Sequence, residues 1–209
     1  NATISGGDIE AENIQGSTSL KTSGGNIDLY NLVGREIFAR TNGGEITARE
    51  LIAETTIDLH TSGGDLDLED ITGDLEASTS GGNIDIMDVR GKTKVWTLGG
   101  EINAEVVHDS FDGRTSDGDI SLSKIWDRLY EDHEINVKTS VGDIVLTLPE
   151  DFPASFQLQV LSPGRKPGEV ILSDFPMEIS ASQAVTRGEG IINGGKFNVH
   201  VEASMGTIR

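Results

Sequence analysis

The octapeptide Thr61-Ser62-Gly63-Gly64-Asp65-Leu66-Asp67-Leu68 decides how this chain is read. It recurs as Thr22-Ser23-Gly24-Gly25-Asn26-Ile27-Asp28-Leu29 and as Thr79-Ser80-Gly81-Gly82-Asn83-Ile84-Asp85-Ile86, with weaker copies on either side. Taking the last glycine of each copy as a marker gives Gly7, Gly25, Gly44, Gly64, Gly82, Gly100, Gly118 and Gly142, at intervals of 18, 19, 20, 18, 18, 18 and 24 residues. A period of this size is the signature of a solenoid, in which each repeat buries its apolar face only by stacking on its neighbours.

Counting from each marker, apolar residues occupy the second and fourth positions of every block, from Ile9 and Ala11 through Leu66 and Leu68 to Ile144 and Leu146. Period two is a strand. An aliphatic residue follows at the seventh position (Ile14, Leu32, Leu51, Ile71, Val89, Val107, Ile125), often with glycine at the ninth (Gly16, Gly34, Gly73, Gly91). A second alternating run, such as Ile37 and Ala39 or Val95 and Thr97, then reaches the next block. The extra residues in the blocks after Gly25 and Gly44 precede that second run, at a turn, so the inward set keeps its register. The prediction is an all-β fold, a single-stranded β-solenoid (β-helix) of about eight coils of 18–20 residues, stacked ~4.8 Å apart.

The Gly-Gly pair is expected at a corner where the backbone needs positive φ, which glycine adopts without a Cβ clash. Threonine recurs three residues before the marker, at Thr22, Thr41, Thr61, Thr79, Thr97, Thr115 and Thr139, on the inward parity. That placement predicts a ladder whose hydroxyls bond along the column. An outward threonine array of the ice-binding type would need the opposite parity.

The repeat fails in two places. Between Ile125 and Ile135 an excursion, Trp126-Asp127-Arg128-Leu129-Tyr130-Glu131-Asp132-His133-Glu134, brings aromatic residues together. Insertions on solenoids often form binding surfaces, which makes Trp126, Tyr130 and His133 candidate contact residues; the alternative is a lid over an apolar edge. From Leu148-Pro149 onward the pattern stops, so residues 1–148 read as solenoid repeats and 149–209 as an irregular β cap of the same domain. Asn193-Gly194-Gly195 and Gly206-Thr207-Ile208 echo the repeat, as if the chain rejoins the stack. Ala2 and Ile4 already stand in the inward register, so a coil is expected to begin upstream of Asn1.

Sixteen Lys and Arg against 35 Asp and Glu give a net charge of −19, which argues against nucleic acid as partner. No apolar run approaches the length of a membrane-spanning helix, and no signal peptide is present in this chain. There is no cysteine, so disulfides and thiolate chemistry are absent. His60, His108, His133 and His200 lack metal-ligand spacing, and neither a nucleophile elbow nor a phosphate loop occurs. The outward positions of the first strand carry a column of acids. Within it Asp65, Asp67, Asn83 and Asp85 are the candidate calcium ligands, since stacked carboxylates repel and a hard cation would relieve them. A solvated acidic face, with no cofactor, is the plainer meaning. Paired carboxylates also admit a carbohydrate-processing or carbohydrate-binding role for this face.

The Thr-Ser-Gly-Gly-Asp/Asn-Ile-Asp-Leu block and the degenerate Gly206-Thr207-Ile208 ending resemble those of a bacterial adhesin family of secreted Gly-Gly-repeat β-solenoid proteins, related to the head-GIN autotransporter adhesins. The resemblance spans essentially the whole chain. It implies a secreted, periplasmic or cell-surface location and a surface ligand, glycan or protein, and it supplies no catalytic residues. The expected function is therefore a non-enzymatic binding module. A self-assembling structural rod, associating end to end, is a further reading. The inward register itself is open to test: Ile84→Asp should unfold the domain, because an unpaired buried carboxylate costs several kcal/mol, whereas Asp85→Ala should melt like the parent. Equal melting temperatures for Ile84→Asp and the parent would refute the register.

Overall fold

The structure, a computed structural model, describes residues 1–161 and 163–209. It is all-β; among the described residues the one helical element is the 3-10 turn Pro167–Glu169. Each coil adds one strand to each of two parallel stacks. The first stack contains Ile9–Gln15, Ile27–Arg40, Ile46–His60, Leu66–Thr72, Ile84–Arg90, Ile102–Val107, Ile120–Lys124 and Ile144–Thr147, paired side by side in that order. The second runs from Ala2–Thr3 and Thr18–Lys21, through the C-terminal halves of the two long strands, to Leu75–Ser78, Thr93–Trp96, Phe111–Asp117 and Ile135–Val141.

The expected count of eight coils needs correction. The regular solenoid makes about six turns of about 19 residues, because eight marker glycines bound only six regular intervals; the seventh, from Gly118 to Gly142, is the lengthened one. The extra residue in the block after Gly44 precedes the second run as expected, but not at a turn: it is a register shift opposite Gly34 and Glu36 within the continuous strand Ile46–His60.

Between the stacks lie the side chains of the second, fourth and seventh positions, such as Ile27, Leu29 and Leu32, or Leu66, Leu68 and Ile71, all buried. Strict alternation would place the sixth position inward and the seventh outward. The chain reverses that parity with one left-handed residue per coil: Asn13, Asn31, Glu50, Asp70, Asp88 and Val106 have φ between 52° and 58°. Asn and Asp adopt this conformation most readily, whereas for β-branched Val106 it is strained. The block after Gly118 lacks the kink; there the sixth position is Lys124, whose side chain is buried.

At the corner one expectation is overturned and one is made specific. The second glycine of the pair is not generally required for positive φ: at Gly82 the backbone lies outside the left-handed region. Glycine is required because a Cβ on Gly82 would overlap the carbonyl of Gly64 in the coil before, and the same overlap recurs from Gly25 to Gly142 and at Gly206. The first glycine is different, since a Cβ on Gly81 would sit 3.7 Å from the carbonyl of Gly63, an ordinary contact. The threonine hydroxyls bond along the column as expected, with glycine carbonyls as their partners. Each donates to the marker carbonyl of the preceding coil, Thr41 to Gly25 at 2.8 Å, Thr61 to Gly44 at 2.7 Å and Thr97 to Gly82 at 2.9 Å. The same oxygen accepts the marker N–H of its own coil, as Thr61 accepts from Gly64 at 3.3 Å.

After Ile144–Thr147 the chain skips a rung. Ala154–Leu161 lies beyond the second stack; antiparallel Val185–Ile191 and Glu178–Ala181 extend the sheet; then Phe197–Met205 returns to fill the rung between Ile135–Val141 and Ala154–Leu161. Gly206 next takes the marker position against Gly142, and Ile208 bridges to Ile144 and to Ile171. The cap thus closes both stacks, and Phe152, Phe156 and Val170 cover the last coil. The corner geometry generates a paired test. Gly82→Ala should cost more than about 2 kcal/mol, as overpacking against backbone does, whereas Gly81→Ala should change urea-measured stability by less than about 1 kcal/mol. Equal costs would show that the inter-coil contact is not what selects glycine.

Candidate functional site

The loop of candidate contact residues is divided by the fold. His133 is fully buried, edge-on to Phe152 and Phe197 with centroids 6.1 and 4.9 Å away, and Trp126 packs against the same Phe152 at 6.5 Å. The His133 Nε2–H donates to the carbonyls of Asp127 and Tyr130 at 3.0 and 3.2 Å and so closes the loop on itself. Burial, followed by the nearby Lys124 cation, pushes the His133 pKa down and favours the neutral ring. Tyr130 lies apart from this pair, half-buried and edge-on to His108. The part of the loop that meets solvent is Leu129, 87% exposed, with Arg128 and Glu131.

Beneath the loop is a group of residues that the spacing of the histidines concealed. His108 Nδ1 bonds Asp127 Oδ2 at 3.2 Å, while Nε2 stands 3.2 Å from Asp88 Oδ1 without hydrogen-bond geometry. Asp88 is itself held by Arg90 at 2.5 Å. His108 therefore holds the loop through Asp127 and stands beside the left-handed kink of an earlier coil. Beside it Lys124, buried, donates to the carbonyls of Val107 and Asp109, and burial pulls its pKa down to about 8 against the opposing pull of Asp109 and Asp132. The His108–Asp127 bond clips the loop onto the stack, and Lys124 joins the two coils beneath it.

The four candidate calcium ligands fall into two columns. In the first, an Asp or Asn after a marker glycine accepts the backbone N–H of its counterpart in the next coil: Asp65 from Asn83 at 2.7 Å and Asn83 from Glu101 at 2.9 Å. Asp8, Asn26, Asp119 and Asp143 act alike. Asp67 and Asp85 are register neighbours two residues further on; Asp67 pairs with Arg49 at 3.6 Å and Asp85 accepts from the Asn103 amide at 2.9 Å. Among the described residues, no three His, Cys, Asp or Glu side chains are grouped as they would be to hold a metal ion.

The second stack presents a different outer face. In register across it stand Lys21, Arg40, His60, Ser78, Trp96, Arg114, Lys138 and Glu202, one residue per rung. Five of these eight are Lys, Arg or His, in a chain of net charge −19. His60 Nδ1 and Ser78 Oγ are 2.7 Å apart, and burial and then Arg40 lower the His60 pKa. The Lys21 ammonium lies 5.0 Å from the Phe38 ring and Lys94 lies 5.8 Å from Trp96. Around Trp96 opens a groove of about 510 Å³ lined by Leu98, Arg114, Ser116, Lys138 and Ser140. The sequence reading passed over Trp96 because it occupies a regular strand. The available signal was its place, a position filled in other blocks by Lys, Arg, His or Ser.

The Toastrack DUF4097 family model matches residues 1–147, the solenoid up to the last strand of the first stack. This chain belongs to the Toastrack family. No curated protein and no solved structure matches it. The matched Toastrack region holds the whole outer column from Lys21 to Lys138 and the clipped loop, while the cap lies beyond it. Within the Toastrack solenoid the coils beneath the clip offer a test through Lys124. Its folded pKa is depressed, so between about pH 8 and 10.5 the unfolded chain binds a proton that the folded chain has released. Stability from this group is therefore fully present above the unfolded pKa and is lost as pH falls through the folded one. Thermal unfolding at about pH 7.5 and about pH 9.5 should show a gain with pH in the parent that Lys124→Met lacks. Parallel responses would mean that the ammonium is hydrated in the folded protein.

Proposed function

We propose that this Toastrack chain is a non-enzymatic binding module that works outside the cytoplasm, an adhesin-type solenoid using the outer face of its second stack to hold a surface ligand. The observation that carries this reading is the in-register column Lys21, Arg40, His60, Trp96, Arg114 and Lys138. Several of these cations have a local partner, Lys21 over the Phe38 ring, Arg114 with Asp112 and Lys138 with Glu202, yet the column keeps its sign over successive rungs. The core is supplied by the inward positions, and the acidic composition favours the opposite sign. Neighbouring rungs ~4.8 Å apart hold these side chains at a fixed pitch, so a repeating ligand can be met at several points at once. The extracytoplasmic placement rests on the resemblance of the Thr-Ser-Gly-Gly block to secreted adhesins.

The test compares two multiple variants in binding to a glycan array and to bacterial cell surfaces. Arg40→Glu with Arg114→Glu and Lys138→Glu should weaken binding at least about tenfold while circular dichroism is unchanged. Glu10→Gln with Asp28→Asn, on the acidic face of the first stack, should leave binding as it was. The opposite ranking would move the contact surface to the first stack and overturn the proposal, as would two variants that bind like the parent.

A further inference from the structure

The outer column of the second stack departs from its own repeat at one coil. In the blocks before Gly25, Gly44, Gly64 and Gly82 the residue after the ladder threonine is Ser23, Asn42, Ser62 and Ser80; before Gly100 it is Leu98, 57% exposed. Two residues earlier in the same coil, on the same outer face, Trp96 stands where other coils carry Lys21, Arg40 or His60. Neither apolar side chain serves the core. Partly buried Trp126, Leu146 and Leu148 pack against it, whereas Trp96 and Leu98 do not. A half-buried tryptophan and an exposed leucine stand together on the outside of this coil, and apolar groups rimmed by polar ones mark contact sites.

What surrounds the pair defines the ligand. Arg114 is the register neighbour of Trp96 on the next rung and Lys138 of Arg114 on the one after, so both cations stand on one side of the ring. With Lys94 they make three cations lining the groove against one acid, Asp112. Arg114 gives Nε and one terminal nitrogen to Asp112 at 2.9 and 2.8 Å, and Lys138 meets Glu202 at 2.7 Å. The Arg114 pair is bidentate and both cations remain about half exposed, so each keeps N–H donors beyond those it has used. Ser116 and Ser140 add hydroxyls on the flank. An indole face for an apolar ring surface, adjacent cations for a carboxylate and hydroxyls at the rim together match a sugar acid.

We propose that Trp96, Leu98, Arg114 and Lys138 form a subsite for one uronic acid residue of a linear anionic polysaccharide lying along the solenoid axis. The proposal rests on the binding function assigned above to the second stack. A polypeptide is disfavoured because the strand bearing Trp96 is hydrogen-bonded on both edges, to Leu75–Ser78 and to Phe111–Asp117, which leaves no backbone for strand addition. The pyranose ring stacks on Trp96 and Leu98, and its carboxylate bridges the Arg114 guanidinium and the Lys138 ammonium.

The experiment titrates the whole chain with an oligogalacturonate, with its methyl-esterified form and with polyglutamate, followed by calorimetry. In parallel, Trp126→Phe leaves Trp96 as the one tryptophan, so its emission reports the site directly. Oligogalacturonate should bind and shift Trp96 emission, with affinity falling as salt is raised. Binding should be lost in Trp96→Ala without a change in thermal unfolding, and should weaken at least about tenfold in Arg114→Gln or Lys138→Gln. Should Trp126→Phe fail to fold, calorimetry on the parent and Trp96→Ala decides alone. Absence of binding, equal affinity for the esterified form, or indifference to Trp96→Ala overturns the subsite, and equal binding of polyglutamate reassigns it to acidic polypeptides. If oligogalacturonate fails while the charge-reversed column still loses its surface ligand, only the ligand class is wrong. If both fail, the binding function falls with it.

Discussion

Everything regular in this protein depends on how closely two coils approach at the glycine corner. There the marker glycine of one coil lies against the marker carbonyl of the coil before, with no room for a Cβ, and the threonine three residues earlier donates its hydroxyl to that same carbonyl. The carbonyl would otherwise be a buried acceptor turned away from water, and leaving it unmet would cost about 1–3 kcal/mol. Thr22, Thr41, Thr61, Thr79, Thr97, Thr115 and Thr139 repeat the arrangement along the stack. The last coil keeps the glycine, Gly206, but carries Ala203 in register with Thr139. The steric half of the device is thus retained where the hydrogen-bonding half is dropped.

Because the pitch is held from inside, the outer positions of each strand are released from folding duty, and the two stacks use that release differently. On the first stack many outward carboxylates and amides return to structure as acceptors for the next coil's backbone N–H. On the second stack one outward column is rich in cations beside a second that carries Asp58, Glu76 and Asp112, and at one coil a tryptophan and a leucine stand among them. A net charge dominated by the first face therefore says little about the second. Charge summed over a chain averages across surfaces that a ligand meets one at a time.

The break in the repeat after Gly118 has its own internal cause. Where five coils turn on Asn, Asp or Glu and a sixth on Val106, the block after Gly118 has Lys124, whose buried ammonium needs carbonyl partners. The following loop is pulled over the edge by His133 and fastened by His108 to Asp127. Residues that looked like an offered surface mostly close the molecule: His133 is interior and Trp126 leans on Phe152.

The sequence alone determined the strand parity, the core residues, the position of the insertions ahead of the second run and the return of the chain at Gly206-Thr207-Ile208. All of these follow from local alternation and from a period that repeats enough times to be read. The left-handed sixth position was also visible as Asn13, Asn31, Asp70 and Asp88, although alternation drew attention away from it. What only the tertiary structure decided concerns contacts between residues a coil or more apart. It decided that glycine is selected by a neighbouring carbonyl more than by φ, and that threonine bonds to glycine and not to threonine. It decided that His108 and Asp127 form a clip beside Asp88 and Lys124, and that Trp96, Arg114 and Lys138 stand on adjacent rungs. A sequence displays its period, but which side chains meet across the stack depends on the register between coils, set by the backbone approach at the corner.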